Sequence, residues 1–340
     1  MNFKSHQIVF LSLFVFLFCT LGWVSSTWGI EPHEILGRSL EAQFQLDLEG
    51  IKRAEFHTRQ EDSVLTARFI RLGPDFSYLL YVSPSGLKGR MILDDGSSRK
   101  DYIPHKKKLR VYPSLNSGPS KLERRKNLDL LVANYTISRH GDEFILGRPS
   151  YVICIIPKSP GNPRLDIWID KKTYFPLKKQ RYNAEGKLIV SSSFIPFSLR
   201  KEVFRKRVYQ SVRRIRGERK AALSHHSYTL DEVGRIVKYH LRMPEYLPRG
   251  YILRRVGLLD EGKTVKLTYT DGLGVICFFQ RPRVNIKMRS FEKLRFGNLE
   301  GKLRAREDEK TLVWNKSGMT FILMGDISKK ELSRIAESVK

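Results

Sequence analysis

The chain has 340 residues, 41% hydrophobic and 29% charged, a composition that excludes a largely disordered or collagen-like protein and suits two globular domains. Its 62 Lys and Arg against 35 Asp and Glu leave a net charge of +27, a field that favours anionic partners without specifying a fold. Three cysteines are too few for a disulfide scaffold, and no Cys/His spacing matches a structural zinc site, so size must supply the core.

Lys4 and His6 precede an apolar run from Ile8 to Val24, and Ser25, Ser26 and Thr27 follow it. A cationic start, an apolar middle and small residues after it predict a secretory signal peptide over residues 1–29, cleaved after Ser26 or Gly29. The other reading is an uncleaved anchor, because the run is at the lower limit for crossing a bilayer. Phe18 is too bulky for lipoprotein processing at Cys19. No later segment is apolar enough to span.

Beyond it, helical spacing covers Pro32 to Phe44, and two-fold alternation places Phe44, Leu46 and Leu48 on one side of a first strand. Further strands are expected near Val64–Leu72, Phe76–Val82, Gly89–Leu93, Lys108–Tyr112, Phe144–Ile156, Leu165–Asp170, Pro176–Tyr182 and Lys187–Phe194, with a helix over Lys121–Asn134. Turn chemistry separates them at Asp94-Asp95-Gly96, Ser159–Pro163 and Asn183–Gly186. So many short strands predict a large curved antiparallel sheet or open barrel with one wet face. The fold class is α+β, mostly β.

Arg200 to Lys220 holds ten basic residues against Glu202 and Glu218. It reads as a linker over residues 200–222, or as a basic amphipathic helix, since Phe204, Val208, Val212 and Ile215 recur at helical spacing. Arg205, Lys206, Arg207, Arg213, Arg214 and Arg216 are candidates for contact with an acidic partner or an anionic membrane surface. After it a second, smaller α+β domain begins. Asp271-Gly272 between alternating apolar runs signals a hairpin, a second hairpin turns at Lys316-Ser317-Gly318, and Ser328 or Asp326 caps a terminal helix to Val339.

Catalytic signatures are missing. There is no G-x-S-x-G, Walker A, H-E-x-x-H or G-x-G-x-x-G after a strand, His33-Glu34 lacks a second His, and a strand would point the neighbours His225 and His226 to opposite sides. Cys154 and Cys277 sit in apolar runs and read as buried free thiols. The chain is therefore read as a non-enzyme with neither cofactor nor metal. If the long sheet curls without closing, its apolar face can admit an apolar ligand. Phe76, Tyr78, Leu80 and Val82 share one strand face and Leu165, Ile167 and Ile169 another, as lipid-cavity candidates or as plain core.

Gly147-Arg148-Pro149-Ser150-Tyr151, Leu165-Asp166-Ile167-Trp168-Ile169-Asp170, Phe175-Pro176-Leu177 and Tyr182–Leu188, after Asn134-Tyr135-Thr136, resemble the closing half of the RseB/MucB amino-terminal domain. The Asp95-Gly96 turn with Tyr102-Ile103-Pro104 is similar to that family's central hairpin. Leu247–Tyr251, Tyr269–Leu273 and Gly325-Asp326 before the last helix are similar to its second domain. The resemblance implies a LolA/LolB-like unclosed half-barrel over residues 30–199, joined by the linker to an RseB-like carboxy-terminal domain over residues 223–340. It further implies a periplasmic regulator that binds a membrane-anchored anti-sigma factor and shields it from proteolysis, with lipid or lipoprotein acyl chains as the releasing ligand. A periplasmic lipid or lipoprotein carrier of the LolA type is the rival. Nucleic-acid binding, which the charge invites, is disfavoured by the export signal.

Overall fold

The computed structural model describes residues 29–57, 62–114, 121–198, 228–284, 291–306 and 309–340. The apolar leader and the basic stretch, with Arg205, Lys206, Arg207, Arg213, Arg214 and Arg216, lie outside the described residues. Among the described residues, no helix is long and apolar enough to cross a membrane.

Helix α1 (Pro32–Gln45) starts at a proline, where the missing N–H costs nothing, and buries Ile35, Leu36, Ser39 and Ala42 along one side. The alternation expected to make a strand of Phe44, Leu46 and Leu48 is instead divided between elements. Phe44 lies in the last turn of α1, Leu46 in the connection, and Leu48 opens β1 (Leu48–Phe56). Three alternating residues are too short a pattern to outweigh a helix whose apolar side already has a sheet beneath it.

Eleven antiparallel strands follow in one sheet: β1, β2 (Ser63–Leu72), β3 (Phe76–Ser83), β4 (Met91–Asp94), β5 (Ser98–Ile103), β6 (Lys108–Pro113), β7 (Tyr135–Ile145), β8 (Arg148–Pro157), β9 (Arg164–Asp170), β10 (Pro176–Tyr182) and β11 (Leu188–Ser198). Their order is β6-β5-β4-β3-β2-β1-β11-β10-β9-β8-β7. Closure is made in the middle, by β1 against β11, so the sheet stays open with β6 and β7 as its edges. Helix α2 (Lys121–Asn134) connects those two edges.

The single run expected from Phe144 to Ile156 is cut by a two-residue turn, with Leu146 at φ 54° and Gly147 at φ 70°. Two successive positive φ values fit the type I′ turn, whose twist matches a hairpin and which favours Asn-Gly. Leucine at the first of these positions carries about 1–2 kcal/mol of left-handed strain, and its side chain is 44% exposed, so burial offsets little. Leu146→Asn should therefore raise the denaturant midpoint, by about 1 kcal/mol of stability. A lower midpoint would mean that Leu146 packs against something that outweighs the strain.

The second sheet has seven antiparallel strands: β12 (Ile252–Leu259), β13 (Thr264–Thr270), β14 (Val275–Pro282), β15 (Glu292–Phe296), β16 (Leu299–Ala305), β17 (Lys310–Lys316) and β18 (Met319–Gly325), in the order β12-β13-β14-β18-β17-β16-β15. Leu267, Phe278, Leu323, Leu312 and Leu303 stand opposite one another across five strands, all fully buried. Helix α4 (Lys329–Glu337) packs Leu332, Ile335 and Ala336 into this core and is capped by Ser328, whose Oγ accepts the Glu331 N–H. Helix α3 (Leu230–Ile236) adds Val233 and starts at a capping box of Thr229 and Glu232.

The two sheets meet around the β13–β14 turn. Asp271 is fully buried, and its carboxylate accepts the Tyr135 hydroxyl at 2.6 Å, Asn162 Nδ2 at 2.9 Å, and the N–H groups of Leu273 and Gly274 at 3.0 and 2.6 Å. Burial and the Asp271 charge both raise the Tyr135 pKa, which keeps its hydroxyl a donor. Asn134 Nδ2 donates to the carbonyls of Gly250 and Asp271 at 3.2 and 3.0 Å. A Cβ on Gly272 would lie 2.9 Å from the Leu131 nitrogen, so glycine is required there for approach as well as for its φ of +106°. Farther along, Arg181 pairs with Asp326 at 3.3 Å and Lys310 with Glu185 at 2.9 Å. Asp326, expected as a possible helix cap, is spent on this contact.

Candidate functional site

Residues opposite one another in antiparallel strands share a face, so the register sorts the first sheet into two sides. Ile167, Lys179, Ser192 and Ala54 form one row, and Lys52 stands opposite Phe194 and Ala67 in the next. This is the face that α1 covers: Lys179 Nζ donates to Gln43 Oε1 at 3.1 Å and Arg71 to the Gln43 carbonyl at 2.7 Å. Phe76, Tyr78 and Leu80 stand opposite Leu72, Ile70 and Arg68 on the other face.

That register corrects the expectation of one cavity lined by both rows. Leu165, Ile167 and Ile169 lie on the α1 face, with Ile167 directly beside Lys179, whereas Phe76, Tyr78 and Leu80 pack away from it with Ile70, Leu72 and Leu93. Val82 sits at a bulge and is 46% exposed. A strand's alternation says which residues share a side; only the pairing across intervening strands says which side it is.

Two hollows flank α1. The smaller, about 160 Å³, lies between the end of α1 and the strands β1, β2, β10 and β11. Its apolar walls are Phe44, Phe69, Phe175, Leu177 and Phe194, with Phe194 ringed by Phe69 and Phe175 at centroid distances of 6.2 and 5.6 Å. Its charged lining is entirely basic: Lys52, Arg71, Lys178 and Lys179. Lys178 turns to the other face and lies 4.0 Å above the Trp168 ring. Arg71 stacks on Phe44 and feels the Asp94 charge. Lys52 is open to solvent, yet the surrounding walls lower its pKa by desolvation. Desolvation, then repulsion from Lys52, brings Lys179 down to about 8.

The larger hollow, about 790 Å³, runs between α1, α2 and the β9–β10 turn, lined by Gly37, Leu40, Ala42, Leu46, Leu128 and Tyr174 among others. Arg124 reaches across it to Glu41 at 2.9 Å, and Arg38 to the Tyr174 hydroxyl at 2.9 Å. Residues 43 and 44 face one hollow and residues 41, 42, 45 and 46 the other, so α1 is the partition between them.

Neither hollow is lined by a cysteine. Cys154 and Cys277 are both free; Cys154 is buried on the opposite face, where burial and Asp166 push its thiol up to about 11, a poor thiolate at neutral pH. Lys52, Phe69, Lys179 and Phe194 were not singled out from sequence. The available signal was a lysine interrupting an otherwise small and apolar strand side, Leu48, Gly50, Lys52 and Ala54, matched by Lys179 two positions after Leu177.

Residues 88–212 match the MucB/RseB N-terminal domain. The Pseudomonas aeruginosa MucA/MucB complex superposes with a TM-score of 0.60 at 17% identity, covering 91% of this chain and 98% of that one. Residues 88–212 thus carry that family's N-terminal domain pattern, and the chain shares the fold of MucB. A MucB crystal structure in complex with MucA(peri) matches at TM-score 0.58 and 18% identity over 91% and 98% of the two chains, and MucB alone at 0.51 and 17% over 90% and 96%. At these identities it is the fold that is shared. Residues 242–339 match a domain of unknown function, DUF4367, which spans the second sheet. No curated protein sequence matches the chain.

Proposed function

We propose that this chain is a periplasmic regulator that holds the periplasmic part of a membrane-anchored anti-sigma factor and controls its proteolysis in envelope stress signalling. The observation that carries the reading is the match of both sheets, in one order and over 91% of the chain, to MucB solved with MucA. Residues 30–199 and 223–340 are its two domains, and the basic stretch between them suits an acidic partner or an anionic bilayer surface. The second domain favours regulation over carriage, for which a single ligand-holding sheet suffices.

Release follows from an acyl chain entering under α1. The smaller hollow alone is about the size of a cavity that accepts benzene, so a lipid requires α1 to lift and join it to the groove beyond. A ligand that binds only that opened state weakens the partner complex by the same factor by which the partner weakens ligand binding.

The test is protection. The purified protein is mixed with the periplasmic segment of a single-span anti-sigma factor encoded beside it, and the segment's half-life is followed under protease. Slower cleavage, reversed by an acyl-chain amphiphile, is expected. Unchanged cleavage with no complex on size exclusion would reject the reading, and transfer of lipoprotein between membranes would favour a carrier.

A further inference from the structure

We propose that the hollow beneath α1 is an anion site, in which Lys52 and Lys179 take the charged head of a single-chain anionic amphiphile whose tail lies along Phe69, Phe175 and Phe194. The inference rests on the ligand-binding reading above and adds the chemistry of the ligand's head.

The two ammonium groups project from neighbouring positions on one sheet face into a space whose lining holds no carboxylate. Lys179 has one hydrogen-bond partner in the structure, the neutral Gln43 side chain, and Lys52 forms no hydrogen bond or ion pair among the described residues. By contrast four arginines elsewhere on this sheet are each matched by a carboxylate: Arg68 with Glu49, Arg90 with Asp101, Arg148 with Asp170, and Arg164 with Asp166. Lys179, shielded among the aromatic walls with the Lys52 charge beside it and no counterion, destabilises the empty protein, and an anion removes that penalty. The groups facing Lys179 are Lys52 from β1 and Arg71 from β2, with Gln43 and Phe44 from α1, Ile167 from β9 and Ser192 from β11. Every charge among them has the sign that strengthens anion binding. An anion at Lys179 competes with the Gln43 contact that ties α1 to β10, so binding the head also loosens the partition that the tail must pass.

The depressed Lys179 pKa sets the pH dependence. Its folded value of about 8 lies below that of the free side chain, so the group is partly neutral above pH 8 unless an anion holds the proton on. Preference for an anionic head should therefore weaken as pH rises through 8, and binding near pH 8 should take up protons.

The experiment titrates the protein by calorimetry with dodecyl phosphate, dodecanoate, dodecyl maltoside and inorganic phosphate, each below its micelle concentration. At pH 7 the two anionic chains should bind at least about tenfold more tightly than the maltoside. At pH 9.5 that ratio should shrink, and the Lys52→Met, Lys179→Met variant should lose it while melting at a higher temperature than the parent. A residue pair with a merely structural role would lower the melting temperature instead. Equal binding of maltoside and anionic chains, or a ratio that survives in the variant, overturns the anion site and leaves the acyl-chain reading standing. Binding of inorganic phosphate but of no chain, lost in the variant, keeps the anion site and removes the acyl-chain reading. Binding of none of the four removes both. Dodecyl phosphate against dodecanoate tells a phosphate head from a carboxylate.

Discussion

Asp271→Ala should split the thermal unfolding of this protein into two transitions where the parent shows one. The carboxylate is fully buried and receives four donors, two of them from the other sheet, through Tyr135 and Asn162. Removing it leaves the Tyr135 hydroxyl and the Asn162 amide without their acceptor at a closed interface, at about 1–3 kcal/mol for each orphaned group and more where the acceptor was charged. The Asn134 hydrogen bonds to the Gly250 and Asp271 carbonyls remain, and the ion pairs farther along, Arg181 to Asp326 and Lys310 to Glu185, involve partly exposed partners and contribute less. Differential scanning calorimetry reads the outcome directly. Gly272→Ala should act in the same direction, because its Cβ would press on the Leu131 backbone across the same contact. One transition at an unchanged temperature in both variants would place the coupling between the sheets elsewhere.

The second large effect belongs to the core of the smaller sheet. Phe278 is fully buried, stacks on Phe321 at 5.7 Å and meets Trp314 at 6.2 Å, in line with Leu267 and Leu323 on the neighbouring strands. Phe278→Ala removes most of a side chain from the middle of that row, and rigid strands on both sides cannot close over the gap. The expected loss is about 3–5 kcal/mol in chemical denaturation. Trp314→Phe should cost far less, because the indole Nε1 is buried without a hydrogen-bond partner and its removal relieves an unsatisfied donor. In the Asp271→Ala background, Phe278→Ala should lower only one of the two transitions. If both fell together, the sheets would still be unfolding as a unit.

Much of the fold was legible in local patterns. Helix α2 runs over the expected residues from Lys121 to Asn134, β10 from Pro176 to Tyr182, and the terminal helix begins after Ser328. Where the local pattern and the structure differ, the cause is local. Leu146 stands where a hairpin turn usually carries Asn or Gly, so one long run concealed the turn between β7 and β8. β7 itself was missed because its residues are mostly exposed and polar at the edge of the sheet, without the alternation that marks a half-buried strand.

The candidate site was less legible than the fold. The rows named for a cavity are apolar, and apolar rows serve cores as readily as ligands; the two lie on opposite faces of the sheet. The residues that do line the hollow include two lysines, which composition counts only as surface charge. Asp271-Gly272 reads in sequence as a hairpin signal, and it is one, but the same carboxylate also binds the first sheet.

Composition, alternation, turn residues and caps therefore settled the class of the fold, most of its elements and the lack of a familiar catalytic motif, because each of these is a short-range property of the chain. Which face α1 covers, which lysines share a hollow, and how two sheets lock at Asp271 were decided only in three dimensions. Those features depend on register carried across eleven strands and on polar groups that become partners only after residues far apart in the chain are brought together and water is removed from between them.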